Sequence, residues 1–217
     1  MATKDFDLLI LGGVVYDGLG HPGLEADVAV TKDRIARVAT GIDPARAAEV
    51  IDARGMAVAP GFIDPHSHTD IELLVNPRAE SKIRQGVTTE IAGNCGYTVF
   101  PLTWRNYEER RRYCDEQYGV PLIWRDIGGF FSELESRGMA VNYATFMGHG
   151  TLRGAVFGAQ DRPPNSEELA AMKELIRQNM EMGALGLSTG LIYVPGCYAD
   201  QRELIELCRE TAVYGGM

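Results

Sequence analysis

The sequence predicts an α/β protein in which a small β-rich module precedes the first half of a (β/α)8 barrel. Two patterns support this organisation. Up to about residue 55, apolar residues alternate around polar turns, as they do in hairpins. From residue 57 onward, short apolar segments alternate with longer amphipathic ones, the order typical of parallel strands covered by helices. We therefore assign residues 1–56 to a small β-sandwich module and residues 57–217 to the α/β region.

Length limits how much of a barrel the second region can contain. A complete (β/α)8 barrel takes about 250 residues, so residues 57–217 provide room for about four β/α units. An open sheet is the alternative, but no glycine-rich phosphate-binding motif follows the first strand, which disfavours a dinucleotide-binding fold. Half a barrel leaves apolar strand edges open. We therefore expect a fragment, or one of two polypeptides that assemble into one barrel.

The individual elements of the α/β region follow from the same patterns. Asn165 and Glu168 predict a capping box at the start of the best-marked helix, and glycines end several others. The predicted strands are 57–66, 87–92, 141–147 and 184–188. The predicted helices are 77–85, 106–118, 126–137, 165–182 and 200–214.

Composition excludes several classes of function. The chain is 45% hydrophobic, enough for a core, and carries a net charge of −9, which argues against nucleic-acid binding. The apolar run 8–15 follows two aspartates and contains two glycines, so neither a signal peptide nor a membrane span is predicted. The four cysteines are widely spaced, as expected of free thiols. These features predict a cytoplasmic protein.

Two histidines and one cysteine form the candidate metal site. His66 and His68 follow a buried strand and are two residues apart, so their imidazoles share a face if the strand geometry continues. Imidazole is the commonest protein ligand of zinc. Cys95 follows the next strand between glycines, and the carboxyl ends of adjacent barrel strands meet at one edge. The alternatives are two surface histidines and a small buried cysteine.

Two later residues are candidates for the same edge. His149 follows the third strand and either lines the pocket or supports its loop. Tyr193 lies in a loop shaped by glycine and proline after the fourth strand, where its hydroxyl could reach a substrate carbonyl. A packed tyrosine is the alternative.

Several motifs resemble one family. The segment Ala59-Pro60-Gly61-Phe62-Ile63-Asp64-Pro65-His66-Ser67-His68, which follows an Asp-Ala-Arg-Gly turn, resembles the amidohydrolase superfamily. Four further motifs together resemble its D-aminoacylase (N-acyl-D-amino-acid deacylase) branch: GVTT at 86–89, GNCG at 93–96, GHGTLR at 148–153 and GLSTGLIY at 186–193. The cysteine motif is the most specific, because many relatives use a carboxylated lysine as the bridging metal ligand.

The resemblance implies a metal-dependent hydrolase-type (β/α)8 TIM barrel that hydrolyses the linear amide of N-acyl-D-amino acids, giving a carboxylate and a D-amino acid. It implies one or two zinc ions bound by His66, His68 and Cys95, with Tyr193 and, more weakly, His149 contacting the substrate. The general-base aspartate and two further histidines are expected beyond residue 217, so no catalytic residue is assigned and the isolated chain is expected to be inactive.

Two alternative functions remain open. One is a cyclic-amide hydrolase of the hydantoinase or dihydropyrimidinase type, and the other is a non-catalytic truncated subunit. The expected partners are a small-molecule substrate and a second polypeptide that completes the barrel, with no nucleic acid and no membrane.

Overall fold

The computed structural model describes residues 4–217 and divides them into two compact units, one ending at Gly61 and the other beginning at Phe62. The first unit is built on one mixed sheet with the strand order β3-β2-β1-β4, in which β5 also pairs with β1. Its strands are β1 (Phe6–Val15), β2 (Leu24–Thr31), β3 (Arg34–Ala39), β4 (Ala47–Asp52) and β5 (Ala57–Val58). Only this one sheet is found among residues 4–61, so the sandwich stays a prediction.

The sheet of the first unit forms as the alternating pattern predicts. Strands β2 and β3 pair antiparallel around a two-residue turn, which confirms the predicted hairpin. Strands β4 and β5 instead run parallel to β1. Leu9 and Ala29 are fully buried at the centre of a small apolar core. Buried Asp27 accepts hydrogen bonds from the backbone amides of Gly12 and Ile42, and so ties a bulge of β1 to a loop.

The second unit contains short parallel strands that neighbour each other in chain order. Strands β6, β7 and β8 form one sheet, and β9 and β10 form another. A single residue, Phe146, separates β8 from β9. The strands are β6 (Phe62–Asp64), β7 (Val87–Ala92), β8 (Asn142–Thr145), β9 (Met147–Gly148) and β10 (Leu187–Ser188).

The predicted single strand over 57–66 is wrong. Its first part is β5, which pairs with β1 in the first unit, and its second part is β6, which pairs with β7. Pro60 has no amide hydrogen to donate to a ladder, and it stands with Gly61 between the two pairings. The apolar run therefore belongs to two sheets.

Seven helices connect and cover these strands within the described residues, and none is long and apolar enough to cross a membrane. The predicted capping box of Asn165 and Glu168 is confirmed. Helices α1 and α5 were not predicted. The helices are α1 (Glu72–Val75), α2 (Glu80–Ile83), α3 (Tyr107–Tyr118), α4 (Ile127–Arg137), α5 (His149–Val156), α6 (Ser166–Glu181) and α7 (Gln201–Ala212).

The two faces of the β6-β7-β8 sheet differ in burial. On one face, the ring of Tyr143 packs against Phe130 and Phe131 of α4, with ring centroids 6.0 and 6.3 Å apart. This face continues into a large core that includes buried Trp124. Ile63, in β6, is 62% exposed. Parallel sheets are normally covered on both faces, so an exposed apolar side chain on β6 marks an open surface in the described part of the chain.

Candidate metal centre and adjoining cavity

Three potential metal ligands converge beyond the ends of β6 and β7. The ligand atoms of His66, His68 and Cys95 all lie within 4.8 Å of one another. The sulfur of Cys95 is 3.3 Å from Nε2 of His66. In a tetrahedral zinc site, metal bonds of about 2.0–2.1 Å to nitrogen and 2.3 Å to sulfur separate those atoms by about 3.5 Å. The donor set and its spacing therefore fit a zinc ion.

The loop that carries Cys95 is held in a constrained conformation. Cys95 has a φ of 56°, in the left-handed region that few residues other than glycine adopt. A side chain at Gly190, in the loop after β10, would overlap the carbonyl oxygen of Cys95. The hydroxyl of Ser188 accepts a hydrogen bond from the amide of Gly96 at 3.1 Å and donates one to the carbonyl of Gly93. The chain after β10 thus packs directly against the cysteine loop.

The segment that carries the two histidines is held from its other side. Asp64 accepts hydrogen bonds from the amide of His66 at 3.1 Å and from the hydroxyl of Ser67 at 3.0 Å. Lys82 of α2 donates to the carboxylate of Asp64 at 2.6 Å and to the hydroxyl of Ser67 at 2.8 Å. The hydrogen bond from Lys82, followed by that from the amide of His66, lowers the pKa of Asp64 to about 2.

Two buried acids, Glu90 and Asp70, extend this polar region. Glu90 of β7 is fully buried, accepts a hydrogen bond from the hydroxyl of Thr69, and lies 3.4 Å from the ammonium of Lys82. Asp70 accepts a hydrogen bond from the hydroxyl of Tyr143 at 2.6 Å. Burial raises the pKa of Asp70 to about 6, although that hydrogen bond opposes the shift.

A cavity of about 800 Å³ adjoins the ligand cluster. His68 and Cys95 line it together with Tyr193, which is 58% exposed. Arg110 of α3 also lines it, donates a hydrogen bond to the hydroxyl of Tyr97, and lies 4.6 Å from the centre of that ring. Burial raises the pKa of Tyr97 to about 12, so this phenol is neutral and can accept the hydrogen bond. Apolar wall is contributed by Trp104, Val194 and Pro195.

His149 is the first residue of α5 and is fully buried. Its Nε2 lies 2.8 Å from a carboxylate oxygen of Glu203 in α7, and the other oxygen of that carboxylate pairs with buried Arg153. The cavity wall is formed by the neighbours of His149, namely Gly150 and Thr151. Of the two roles considered for His149, this geometry favours support of the loop.

Several residues that shape the site were not predicted from the sequence. Lys82 lies in a segment already rich in charge, so nothing in the pattern distinguished it. Glu90 did carry a signal, because it is the one charged residue in the predicted strand 87–92 and a charged residue in a buried strand needs a partner. Ser188 and Arg110 gave no signal of comparable specificity.

The comparisons with known proteins agree with this arrangement of parallel strands and converging side chains. The Amidohydrolase family profile matches residues 49–211, and the chain belongs to this family. It is 40% identical over 215 residues to a D-aminoacylase of Alcaligenes xylosoxydans xylosoxydans. The matched region covers 99% of this chain and 44% of that relative.

Two solved structures are similar over 97% of this chain and 44% of theirs. One is an N-acyl-D-glutamate deacylase from Bordetella bronchiseptica in complex with zinc and a phosphonate that mimics the tetrahedral intermediate, with a TM-score of 0.86 at 36% identity. The other is a D-aminoacylase solved to define the role of its binuclear metal centre, with a TM-score of 0.85 at 38% identity. The resemblance to the D-aminoacylase branch is confirmed, and the chain spans less than half the length of these relatives.

Proposed function

We propose that this chain supplies the metal centre and part of the substrate cavity of a zinc-dependent hydrolase that cleaves the amide bond of N-acyl-D-amino acids. The observation that carries the proposal is the convergence of His66, His68 and Cys95 within 4.8 Å beside a cavity of about 800 Å³. The relatives support it, because they are deacylases of N-acyl-D-amino acids and one was solved with zinc and a mimic of the tetrahedral intermediate.

The metal would be held by the two imidazoles and the thiolate, and the site takes one or two zinc ions. A bound zinc ion supplies Lewis-acid activation of the amide carbonyl and of water at neutral pH. The residues of the chain have separate tasks. The left-handed backbone of Cys95 aims its sulfur at His66, and the hydrogen bond from the His66 amide to Asp64 fixes the start of the histidine segment.

The substrate would occupy the cavity beside this cluster. Tyr193 is half-exposed in its wall, where its hydroxyl can donate a hydrogen bond to the amide carbonyl of the substrate. His149 supports the start of α5 through its contact with Glu203, and so shapes the wall from behind. No general base is assigned to this chain.

We further propose that the second unit is the first half of a (β/α)8 barrel whose remaining strands lie in a longer polypeptide or in a second one. Three features support this: parallel strands that neighbour in chain order, an exposed Ile63 on β6, and a length of 44% of the D-aminoacylase relative. Residues 1–56 would form a small β-sandwich module. The 217 residues alone are therefore expected to be inactive.

Zinc content after dialysis tests the metal centre. The purified chain is expected to retain zinc in stoichiometric amount, and Cys95→Ala is expected to lose it. Cys208→Ala is the matched control, because that cysteine is exposed on α7 and stands outside the cluster. Equal retention of zinc by the two variants would contradict the proposed ligand set.

Activity assays separate the remaining alternatives. The protein with its barrel complete is expected to release a D-amino acid from an N-acyl-D-amino acid and to leave a hydantoin ring intact. Ring opening without deacylation would favour the cyclic-amide hydrolase. Absence of bound metal from the complete protein would favour a non-catalytic subunit. Turnover by the 217 residues alone would refute the requirement for the rest of the barrel.

A further inference from the structure

We infer that Lys82 is a positioning residue of the metal centre, which holds the segment carrying His66 and His68 in the conformation that brings both imidazoles to one point. Its role rests on the metal site proposed above. Lys82 lies on α2 and makes its contacts behind the histidine segment rather than within the ligand cluster.

The histidine segment has two chemically different sides. His66 and His68 are exposed, and His68 lines the cavity. Ser67 is 3% exposed. Its hydroxyl bonds the half-buried carboxylate of Asp64, and the hydroxyl of Thr69 bonds the fully buried carboxylate of Glu90. Burial alternates along residues 66–69, because His66 and His68 are exposed whereas Ser67 is buried and Thr69 is half-buried. Contacts that fix the hydroxyls of Ser67 and Thr69 therefore also fix the direction of the imidazoles.

The ammonium of Lys82 contacts three groups on the side of the histidine segment that carries the hydroxyls of Ser67 and Thr69. Its ammonium lies 2.6 Å from Asp64, 2.8 Å from the hydroxyl of Ser67 and 3.4 Å from Glu90. An ammonium has three donors and can satisfy three acceptors at once. Each acceptor touches the histidine segment: Asp64 binds the amide of His66, Ser67 lies between the histidines, and Glu90 binds Thr69 next to His68.

Glu90 makes the cation indispensable to this geometry. Its carboxylate is fully buried, and the oxygen that does not bind Thr69 has no hydrogen-bond partner within the described residues apart from the nearby ammonium of Lys82. Without the cation, the carboxylates of Asp64 and Glu90 would lose the ammonium that both of them contact. The segment would then shift, because a buried carboxylate without a partner is strongly unfavourable.

Cobalt(II) binding to the 217-residue chain tests this role through affinity and through the absorption of the thiolate-bound ion. Lys82→Met is expected to bind cobalt roughly 10- to 100-fold more weakly than the unchanged chain, the range for groups that orient metal ligands. Its absorption at saturating cobalt is expected to change as well, because the imidazoles are displaced.

Lys173→Met is the matched control. Lys173 pairs with Glu206 at the same 2.6 Å, with side chains 24% and 27% exposed, against 21% and 26% for Lys82 and Asp64. It lies on α6 outside the ligand cluster, so its loss is expected to leave cobalt affinity and absorption unchanged. An equal loss of affinity in both variants would overturn the role of Lys82.

If Lys82→Met fails to fold, as judged by circular dichroism, a second variant tests the positioning of the histidine segment. Ser67→Ala combined with Thr69→Val keeps the ion pair of Lys82 and Asp64 but removes both hydroxyl links to the histidine segment. It is expected to fold and to bind cobalt at least 10-fold more weakly. Unchanged affinity and absorption in a folded variant of either kind would overturn the inference and leave the proposed metal site intact. Failure of the unchanged chain to bind cobalt would instead refute the metal site itself.

Discussion

Replacement of Glu203 by glutamine tests the buried charge cluster behind the cavity. Glu203, His149 and Arg153 all have fully buried side chains, and the carboxylate of Glu203 contacts both of the others. Glutamine has nearly the same shape but carries no charge. The variant therefore leaves the guanidinium of Arg153 buried without a counter-charge.

The contacts of Arg153 determine the expected magnitude. Breaking a buried ion pair by removing one partner costs about 3–5 kcal/mol. Arg153 also donates to the backbone carbonyls of Gln160 at 3.2 Å and Arg162 at 2.9 Å, and these bonds remain. We therefore expect the lower end of the range, about 3 kcal/mol. For a unit of this size, that corresponds to a fall in Tm of about 6–12 °C.

Thermal unfolding followed by tryptophan fluorescence measures this change. Trp124 is 2% exposed in the core of the second unit and becomes exposed when that unit unfolds. Glu206→Gln is the control, because Glu206 lies on the same helix and pairs with Lys173 and Arg209 near the surface. Partly exposed ion pairs contribute little, so its Tm is expected to change little.

Equal Tm values for the two variants would refute the reasoning. A second check replaces both Arg153 and Glu203 by methionine. Removing the buried pair together is expected to cost less than the sum of the two single replacements, because no uncompensated charge remains. A cost equal to the sum would show that the two charges do not interact.

Two further changes test other parts of the second unit. Gly190→Ala is expected to displace the cysteine loop and to reduce retained zinc, because the new methyl group would overlap the carbonyl oxygen of Cys95. Gly154 also lines the cavity, but a methyl group there would meet open space, so Gly154→Ala is expected to retain zinc. Equal zinc content in these two variants would contradict the close approach. The hydrogen bond from Arg162 lowers the pKa of Glu168 to about 2. The contribution of this hydrogen bond to stability is therefore complete above the pKa that Glu168 has in the unfolded chain, and it is lost as the pH falls towards 2. Glu168→Gln is expected to reduce this loss of Tm at acid pH, and an unchanged pH profile would contradict it.

Local sequence signals predicted several elements correctly. The capping box of Asn165 and Glu168 and the hairpin of β2 and β3 depend on residues that are close in the chain, so a short window contains all of the relevant contacts. The position of helix α5 could not be predicted in the same way. It is only eight residues long, includes two glycines, and begins with His149 directly after β9, so its pattern is that of a loop.

In the candidate metal centre, too, some features were predicted from the sequence and others were not. The strand ends and glycine frames indicated that Cys95 would approach His66 and His68, and the structure brings these side chains together. The roles of these residues as ligands stay proposals. Nothing local indicated that Lys82 and Glu90 would meet behind the histidine segment, because these contacts join elements that are distant in the chain.

The sequence by itself determined the family, the capping box, the hairpin of β2 and β3 and the identity of the candidate ligands, because periodicity, capping and motif spacing are properties of neighbouring residues. The tertiary structure alone decided that the apolar run around Pro60 divides between two sheets, that His149 is buried against Glu203, and that Lys82 holds the histidine segment. Each of these depends on which distant groups pair once the strands are in register. The free energy of burying a charge or of completing a strand ladder is set by that pairing and not by the local sequence.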